Sequence, residues 1–502
     1  MHAEAQEVAS LAVDVARSWS SERLHRYSAE GTGPSPRGIG CETNTLKRVE
    51  FDVPKADVEA ALAVAAPCSA PLRALSLRVN ILWTFAGNTV YAGCQWLMLV
   101  VLTKLTSPEK VGEFALALAI TAPVLMLTNL QLRGIQATDA TREYSFGDYL
   151  GLRLIATSLA MIAIFVLVVV GRYGSETAWL VLVVGLAKAF ESISDILFGL
   201  LQQRERMDRI AISAMIKGTL SLAALAAGVF LTGSVLWGAV GLAAVWLVVL
   251  MSYDVRSVSL VLGNDLPKPN GVTSRVAELL GALRPRWRFG KLTTLTWLAV
   301  PLGVVMMLGS LSANIPRYFI QHDLGSRDLA FFAAMAYLLV AGNMVVNALG
   351  QSASPRLAEY HAAGNRAAFR SLLLKLEGCI VLIGVAATLV GMVAGQRILT
   401  LLYRPEYATH VDVLVWLMVA AGISWTSSFL GYGVTAARYF RSQIPWICST
   451  TLATVVACAV LVPSHHLLGA ALATLVGALV QFVGGIFIIG HAMRRVRAKT
   501  AS

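Results

Sequence analysis

Residues 177–201 read TAWLVLVVGLAKAFESISDILFGLL. A bilayer crossing needs roughly 20 mostly apolar residues, and this stretch supplies them. It also carries Lys188, Glu191, Ser192 and Asp195. A Lys or Asp at mid-bilayer costs about 2.5–3.5 kcal/mol on insertion scales. Such a span must turn its charges toward protein or water, so further helices are expected around it.

Outward from that stretch the chain keeps the same character. Its 502 residues are 56% hydrophobic and 14% charged, against roughly 25% charged in soluble domains, which excludes an ordinary cytosolic enzyme. About twelve runs are long and apolar enough to span a bilayer. The first six are 79–102, 111–130, 150–170, 177–201, 210–232 and 236–253. A polar segment, 254–291, separates them from 292–314, 329–349, 372–394, 411–430, 444–462 and 467–489. The expected fold is therefore all-α: a polytopic membrane protein of about twelve transmembrane helices, in two six-helix lobes around a central cavity. Residues 76–253 form the N-terminal lobe, 254–291 a cytosolic linker, 292–490 the C-terminal lobe and 491–502 a cytosolic basic tail. Residues 1–75 read as a disordered cytosolic extension.

The net charge of +12 does not point to nucleic acid, because the basic residues flank apolar runs and build no basic domain. With the N-terminus inside, inner segments hold roughly 32 Lys and Arg and outer loops about 7. That bias puts both termini on the cytoplasmic side, which requires an even number of spans; the expected location is the bacterial inner membrane, as a multi-pass protein. The halves also resemble each other. Each opens with a span and a short outer loop (106–110 and 323–327), then a Phe-Ala-rich span, and then a cytosolic loop of about 20 residues. Within the linker, residues 274–288 have an apolar face (Val276, Leu279, Leu280, Leu283) and basic residues Arg275, Arg284, Arg286 and Arg288. This stretch is expected on the anionic membrane surface or as a solvated helix.

Helical spacing puts Lys188, Glu191 and Asp195 on one face. The fifth span brings Lys217 to the depth of Asp195, so Lys217–Asp195 and Lys188–Glu191 pairs are expected. These charges either lock helices together or line a hydrated cavity, where Glu191 or Asp195 would serve ion coupling. Thr84, Asn88, Tyr91 and Gln95 form a polar stripe on the first span, and Asn343, Asn347 and Gln351 one on the eighth. Amides and Tyr both donate and accept hydrogen bonds, which suits sugar hydroxyls, though such stripes also join helices. Pro123 and Pro301 are candidate hinges. The six cysteines lack CxxC spacing and the eight histidines are scattered, so no metal is expected, and no cofactor. There is no GxxxxGK[ST], GxSxG, HExxH or DxD, and every outer loop is short, which disfavours an enzyme.

From about Leu77 to Ile489 the chain resembles the polysaccharide-flippase (Wzx-like) branch of the multidrug/oligosaccharidyl-lipid/polysaccharide exporter superfamily. The resemblance is carried by residues 112–117 (GEFALA), by Leu132-Arg133 with Thr138-Asp139, and by residues 190–195 (FESISD) with Gln203, Glu205, Arg206 and Met207. In the second half it is carried by residues 315–319 (IPRYF) and 354–358 (SPRLA). It implies a flippase that moves polyprenyl-diphosphate-linked oligosaccharide from the inner to the outer leaflet for O-antigen or exopolysaccharide assembly, by alternating access. It also implies Arg133, Arg153, Lys188, Lys217 and Arg317 as contacts to the diphosphate or acidic sugars. The expected partners are that lipid-linked oligosaccharide, membrane lipids, a polysaccharide polymerase and glycosyltransferases. A drug exporter of the same superfamily, a membrane polymerase or ligase, and a non-transporting scaffold are the rival readings.

Overall fold

The computed structural model describes residues 75–139, 143–265, 281, 283–363, 365–436 and 443–500. The expected extension and most of the expected amphipathic linker lie outside the described residues. Among the described residues all regular structure is helical. The N-terminal half comprises α1 (Leu77–Leu105), α2 (Pro108–Asn129), the short α3 (Leu132–Thr138), α4 (Phe146–Gly171), α5 (Ser175–Gln203), α6 (Met207–Thr232) and α7 (Val235–Val249). A π-helical turn, Leu250–Asp254, joins α7 to α8 (Val255–Asp265). The C-terminal half comprises α9 (Phe289–Asp323), α10 (Ser326–Leu338), α11 (Val340–Ala362), α12 (Arg366–Leu402), α13 (Val411–Ala436) and α14 (Gln443–Thr500).

Ten helices are long and apolar enough to cross a membrane. Two features bring the count to the expected twelve. α5, 29 residues long, is not among the ten and covers the expected fourth span. α14 contains a reversal at His466 (φ 52, ψ −130), which divides it into arms 443–465 and 467–500. Most sequence limits of the spans hold to within a few residues, but α9 runs nine residues past the expected 314 and α12 extends six and eight residues beyond the expected 372–394, and there are two further differences. The sixth does not stop at residue 253, since the helix runs through the π-turn to Asp265. The loop of about 20 residues expected after the second span contains the short helix α3, and the one expected after the eighth is largely helical, as the end of α11 and the start of α12.

Large apolar side chains such as Leu82, Phe85, Val170, Phe230, Trp297 and Val393 are exposed on the outside of the bundle. In water this would drive aggregation, whereas in a bilayer lipid covers them. Ends are set by local signals. Ser145 and Asp148 form a capping box at α4, satisfying backbone donors that lipid cannot. Pro108 opens α2, where a missing N–H is harmless. Leu130 and Gln131, both at φ 52, turn the chain sharply from α2 into α3.

The two halves share one packing plan. In the first, α1 packs on α6, α5 on α7, α4 on α5, and α2 on both α4 and α5. In the second, α9 packs on the first arm of α14, α13 on α14, α12 on α13, and α11 on both α12 and α13. Two-residue links, 106–107 and 324–325, join the first two spans of each half. The repeat that is faint in sequence is thus plain in which helices touch, and it defines two lobes.

Contact between the lobes is lopsided. At the α1–α2 end a single core includes Leu99, Leu102, Val111 and Phe114 of the first lobe and Phe331, Tyr403, Tyr407 and Leu414 of the second. Polar contacts reinforce it. Lys104 Nζ donates to the Tyr403 carbonyl, Arg404 donates back to the Lys104 carbonyl at 3.1 Å, and the Tyr318 hydroxyl donates to the Ala119 carbonyl. Gly112 lies so near the Ser326 backbone that a Cβ would come within 1.8 Å of its carbonyl oxygen. At the opposite end the cores are mostly separate, and the shared packing is that of the first turns of α9 against α2, α3 and α4. Apolar packing between the lobes is thus most extensive at the α1–α2 end.

Candidate functional site

α5 positions most of the charge. Counting from Ser175 at about 1.5 Å per residue, Lys188 lies roughly 20 Å along a helix of roughly 43 Å, and Asp195 about 10 Å further on. Lys188 Nζ pairs with Glu191 Oε2 at 2.8 Å, and the ammonium also lies 4.9 Å over the Trp246 ring. Tyr91, midway along α1, donates its hydroxyl to Glu191 Oε1 at 2.8 Å. This site is open on one side, with the Lys188 and Glu191 side chains 31% and 36% exposed. α10 of the second lobe, which carries Tyr337 near its end, contacts α1.

Asp195 does not meet Lys217. Its two oxygens take Arg133 NH1 at 3.3 Å and Arg153 NH2 at 3.1 Å. Arg133 also donates through Nε to Gln202 at 3.0 Å and stacks over Phe198. Arg153 donates to Asn129 and is fully buried, whereas Arg133 and Asp195 are 34% and 30% exposed. The short helix α3 makes this possible. Gly199 of α5 gives it a notch: a Cβ there would come 2.3 Å from the Gln136 side chain and 3.4 Å from the Arg133 backbone. α3 therefore seats against α5 and sets Arg133 over Asp195.

Lys217 is the clearest departure from expectation. Its Nζ lies 2.6 Å from Asp254 Oδ2 and 2.6 Å from Ser194 Oγ, while Ser194 and Ser213 donate to the two Asp254 oxygens. Lys217 and Asp254 are 4% and 0% exposed. The expected Lys217–Asp195 pair is replaced because the π-turn widens the helix and aims Asp254 back into the bundle between α5 and α6. Lys217 joins three helices and does not line the open space. The span expected from sequence stops at residue 253, so Asp254 falls just outside it. The available signal was charge balance: Lys217 needed a carboxylate that lipid could not supply.

The polar stripes divide. Tyr91 is in the site. Asn88 is exposed, Gln95 holds a buried Nε2 without a hydrogen-bond partner, and Thr84 donates to its own helix at Asn80. Asn343 and Asn347 accept from Trp425 Nε1 at 2.7 Å and the Tyr432 hydroxyl at 3.3 Å, which ties α11 to α13, yet both remain exposed. The Gln351 side chain lies outside the described residues. Arg317, in the last third of α9, donates to the neutral Asn314 at 2.9 Å, and its Nε is buried without a partner. Among the described residues no carboxylate meets it. The five cations Arg133, Arg153, Lys188, Lys217 and Arg317 are thus set against three carboxylates, Glu191, Asp195 and Asp254, which leaves two positive charges uncompensated.

Two lobes of one packing plan enclose part-exposed charges. Solved structures share this fold. The chain matches the inward-closed lipid II flippase MurJ with a TM-score of 0.63 at 10% identity, over 83% of this chain and 90% of that one. It matches an inward-facing multidrug resistance MATE family transporter of the MOP superfamily with a TM-score of 0.60 at 13% identity, over 82% and 96%. Among curated proteins it is 26% identical over 425 residues to the capsular polysaccharide biosynthesis protein CapF of Staphylococcus aureus, covering 80% of this chain and 97% of the relative. No family model matches. The chain is a multi-pass membrane protein with the fold of the multidrug/oligosaccharidyl-lipid/polysaccharide exporter superfamily, and the resemblance to its polysaccharide-flippase branch is borne out.

Proposed function

We propose that this protein flips polyprenyl-diphosphate-linked oligosaccharide repeat units from the inner to the outer leaflet of a bacterial inner membrane, supplying surface polysaccharide assembly. The observation that carries the reading is the surplus of two positive charges in an apolar bundle, which complements a diphosphate. An exporter of cationic compounds would need the opposite sign. The likeness to a capsular polysaccharide protein supports a sugar-bearing substrate. A sugar hydroxyl stripped of hydrogen bonds costs about 4–8 kcal/mol in hydrocarbon, so a headgroup of several sugars does not cross unaided. A hydrated cleft bearing Asn88, Asn343 and Asn347 replaces those bonds while the polyprenyl chain stays in lipid.

The basic bias of the loops supports a cytoplasmic position for the α3 end of the bundle, with both termini there. Substrate then enters from inside, and its diphosphate competes with Glu191 for Lys188 and with Asp195 for Arg133 while engaging Arg317. Glu191 and Asp195 act as resident counter-ions that hold these cations until substrate arrives. Rocking of the lobes closes the cytoplasmic end and opens the other. The test is flipping of a fluorescent polyprenyl-diphosphate-linked trisaccharide in proteoliposomes. We expect flipping above empty vesicles, lowered at least about tenfold by Arg317→Gln or Lys188→Gln through loss of a charge-assisted contact. Flipping no faster than in empty vesicles, or resistance to cationic drugs on overproduction, would overturn the proposal.

A further inference from the structure

Two amides in the second lobe are held in a way that fixes what they can recognise. The indole of Trp425 donates and cannot accept, and its Nε1–H meets Asn343 Oδ1 at 2.7 Å. The Asn343 oxygen must therefore face α13, which leaves its Nδ2 on the other side. Trp425 is itself fixed. It is buried, and its ring lies against α11 at Gly342, where a Cβ would overlap Cζ2. The arrangement recurs one turn on. The Tyr432 hydroxyl donates to Asn347 Oδ1 at 3.3 Å, and its ring fills the space beside Gly350, where a Cβ would overlap Cε2. Both asparagines are exposed, and among the described residues neither Nδ2 has an acceptor.

The pair lies at the level of the site charges. α5 and α10 both start at the α1–α2 end of the bundle. At about 1.5 Å per residue, Lys188 and Asp195 lie roughly 20 and 30 Å along from Ser175, and Asn343 and Asn347 roughly 26 and 32 Å along from Ser326. α11 also contacts α1 of the first lobe. An amide turned to acyl chains would leave its donors unsatisfied, so we place the pair on the side between the lobes. Full charges such as Arg133, Lys188 and Arg317 suit a diphosphate, whereas neutral N–H groups suit an acceptor oxygen on whatever is joined to it. A sugar hydroxyl both donates and accepts, and two neighbouring donors give it no special advantage. An acylamino carbonyl or a carboxylate oxygen accepts only, and matches them.

We propose that Asn343 and Asn347 select lipid-linked substrates whose diphosphate-proximal sugar carries an acceptor-only group: the carbonyl of an acylamino sugar or the carboxylate of a uronic acid. Trp425 and Tyr432 are the positioning residues that hold the two amides in their donating orientation. This rests on the flippase reading above and adds the chemistry by which one headgroup is told from another.

Three fluorescent polyprenyl-diphosphate lipids test it in proteoliposomes of the full chain, one bearing glucose, one N-acetylglucosamine and one glucuronic acid. A net hydrogen bond is worth up to about tenfold, so we expect wild type to flip an acceptor-bearing lipid about tenfold faster than the glucose lipid. The faster of the two names the group. Trp425→Phe keeps a ring but removes the Nε1–H, which frees the Asn343 amide to rotate. The rate ratio should fall toward one in Trp425→Phe and in Asn343→Leu, and fall no further when the two are combined. A ratio kept in Trp425→Phe while all three rates drop together would make the indole merely structural and overturn the inference. Equal rates in wild type, or faster flipping of the glucose lipid, overturn it as well and leave the proposed function standing. If wild type flips none of the three, the proposed function falls, and the thermal midpoint of the detergent-solubilised chain with each lipid decides. A larger rise with an acceptor-bearing lipid sustains the subsite, and equal rises or none overturn it.

Discussion

At the scale of single residues, burial separates two kinds of charge. Lys217 and Asp254 are sealed together, and breaking a buried pair by removing one partner costs about 3–5 kcal/mol. Asp254→Asn is therefore expected to lower the thermal midpoint of the detergent-solubilised protein clearly. A Lys217→Met, Asp254→Leu double variant should recover much of the loss, because apolar replacement of a buried pair is often neutral, and it should keep flipping. If the double variant is stable but inactive, Lys217 has a transport role that its burial does not reveal. Lys188→Gln should behave oppositely: its side chain is 31% exposed, so the thermal midpoint should barely move while flipping falls.

At the scale of elements, α3 and the π-turn decide where the charges point, and they mark the limit of what the sequence discloses. The spans were legible because about 20 apolar residues have no other home. The Lys188–Glu191 pair was legible because three residues on one helix make one turn. Lys217 and Asp254 are 37 positions apart on different helices, and no spacing rule says which helices are neighbours. The one-residue widening at Leu250–Asp254 leaves no compositional trace. Asp195 was matched with the wrong cation for a similar reason: Arg133 arrives on a seven-residue helix inside what reads as a loop. Filling the notch beneath α3 tests this arrangement. Gly199→Leu should lift α3, part Arg133 from Asp195 and reduce flipping without unfolding the bundle. The check is loss of a disulfide engineered across the α3–α5 contact, alongside an unchanged helical circular dichroism signal.

At the scale of the whole molecule, the α1–α2 end is held by close backbone approach and a few hydrogen bonds on top of a shared apolar core. Gly112→Leu places bulk where even a Cβ would overlap Ser326, so it should bias the lobes toward the opposite state. A cysteine at Tyr337 should then react faster with a membrane-impermeant maleimide added outside, and a Lys104→Ala, Arg404→Ala double variant should shift labelling the same way. Labelling unchanged in both would mean that these contacts do not govern the α1–α2 end. The sealed Lys217–Asp254 knot also bears on how the chain is made. α6 enters the membrane with an ammonium whose carboxylate has not yet left the ribosome. Until α7 and its π-turn follow, that helix is a poor guest for lipid, so the translocon must hold it or let it slip back. A polypeptide released after residue 249 should accordingly be cleared by membrane quality control, whereas one that ends after residue 265 should persist.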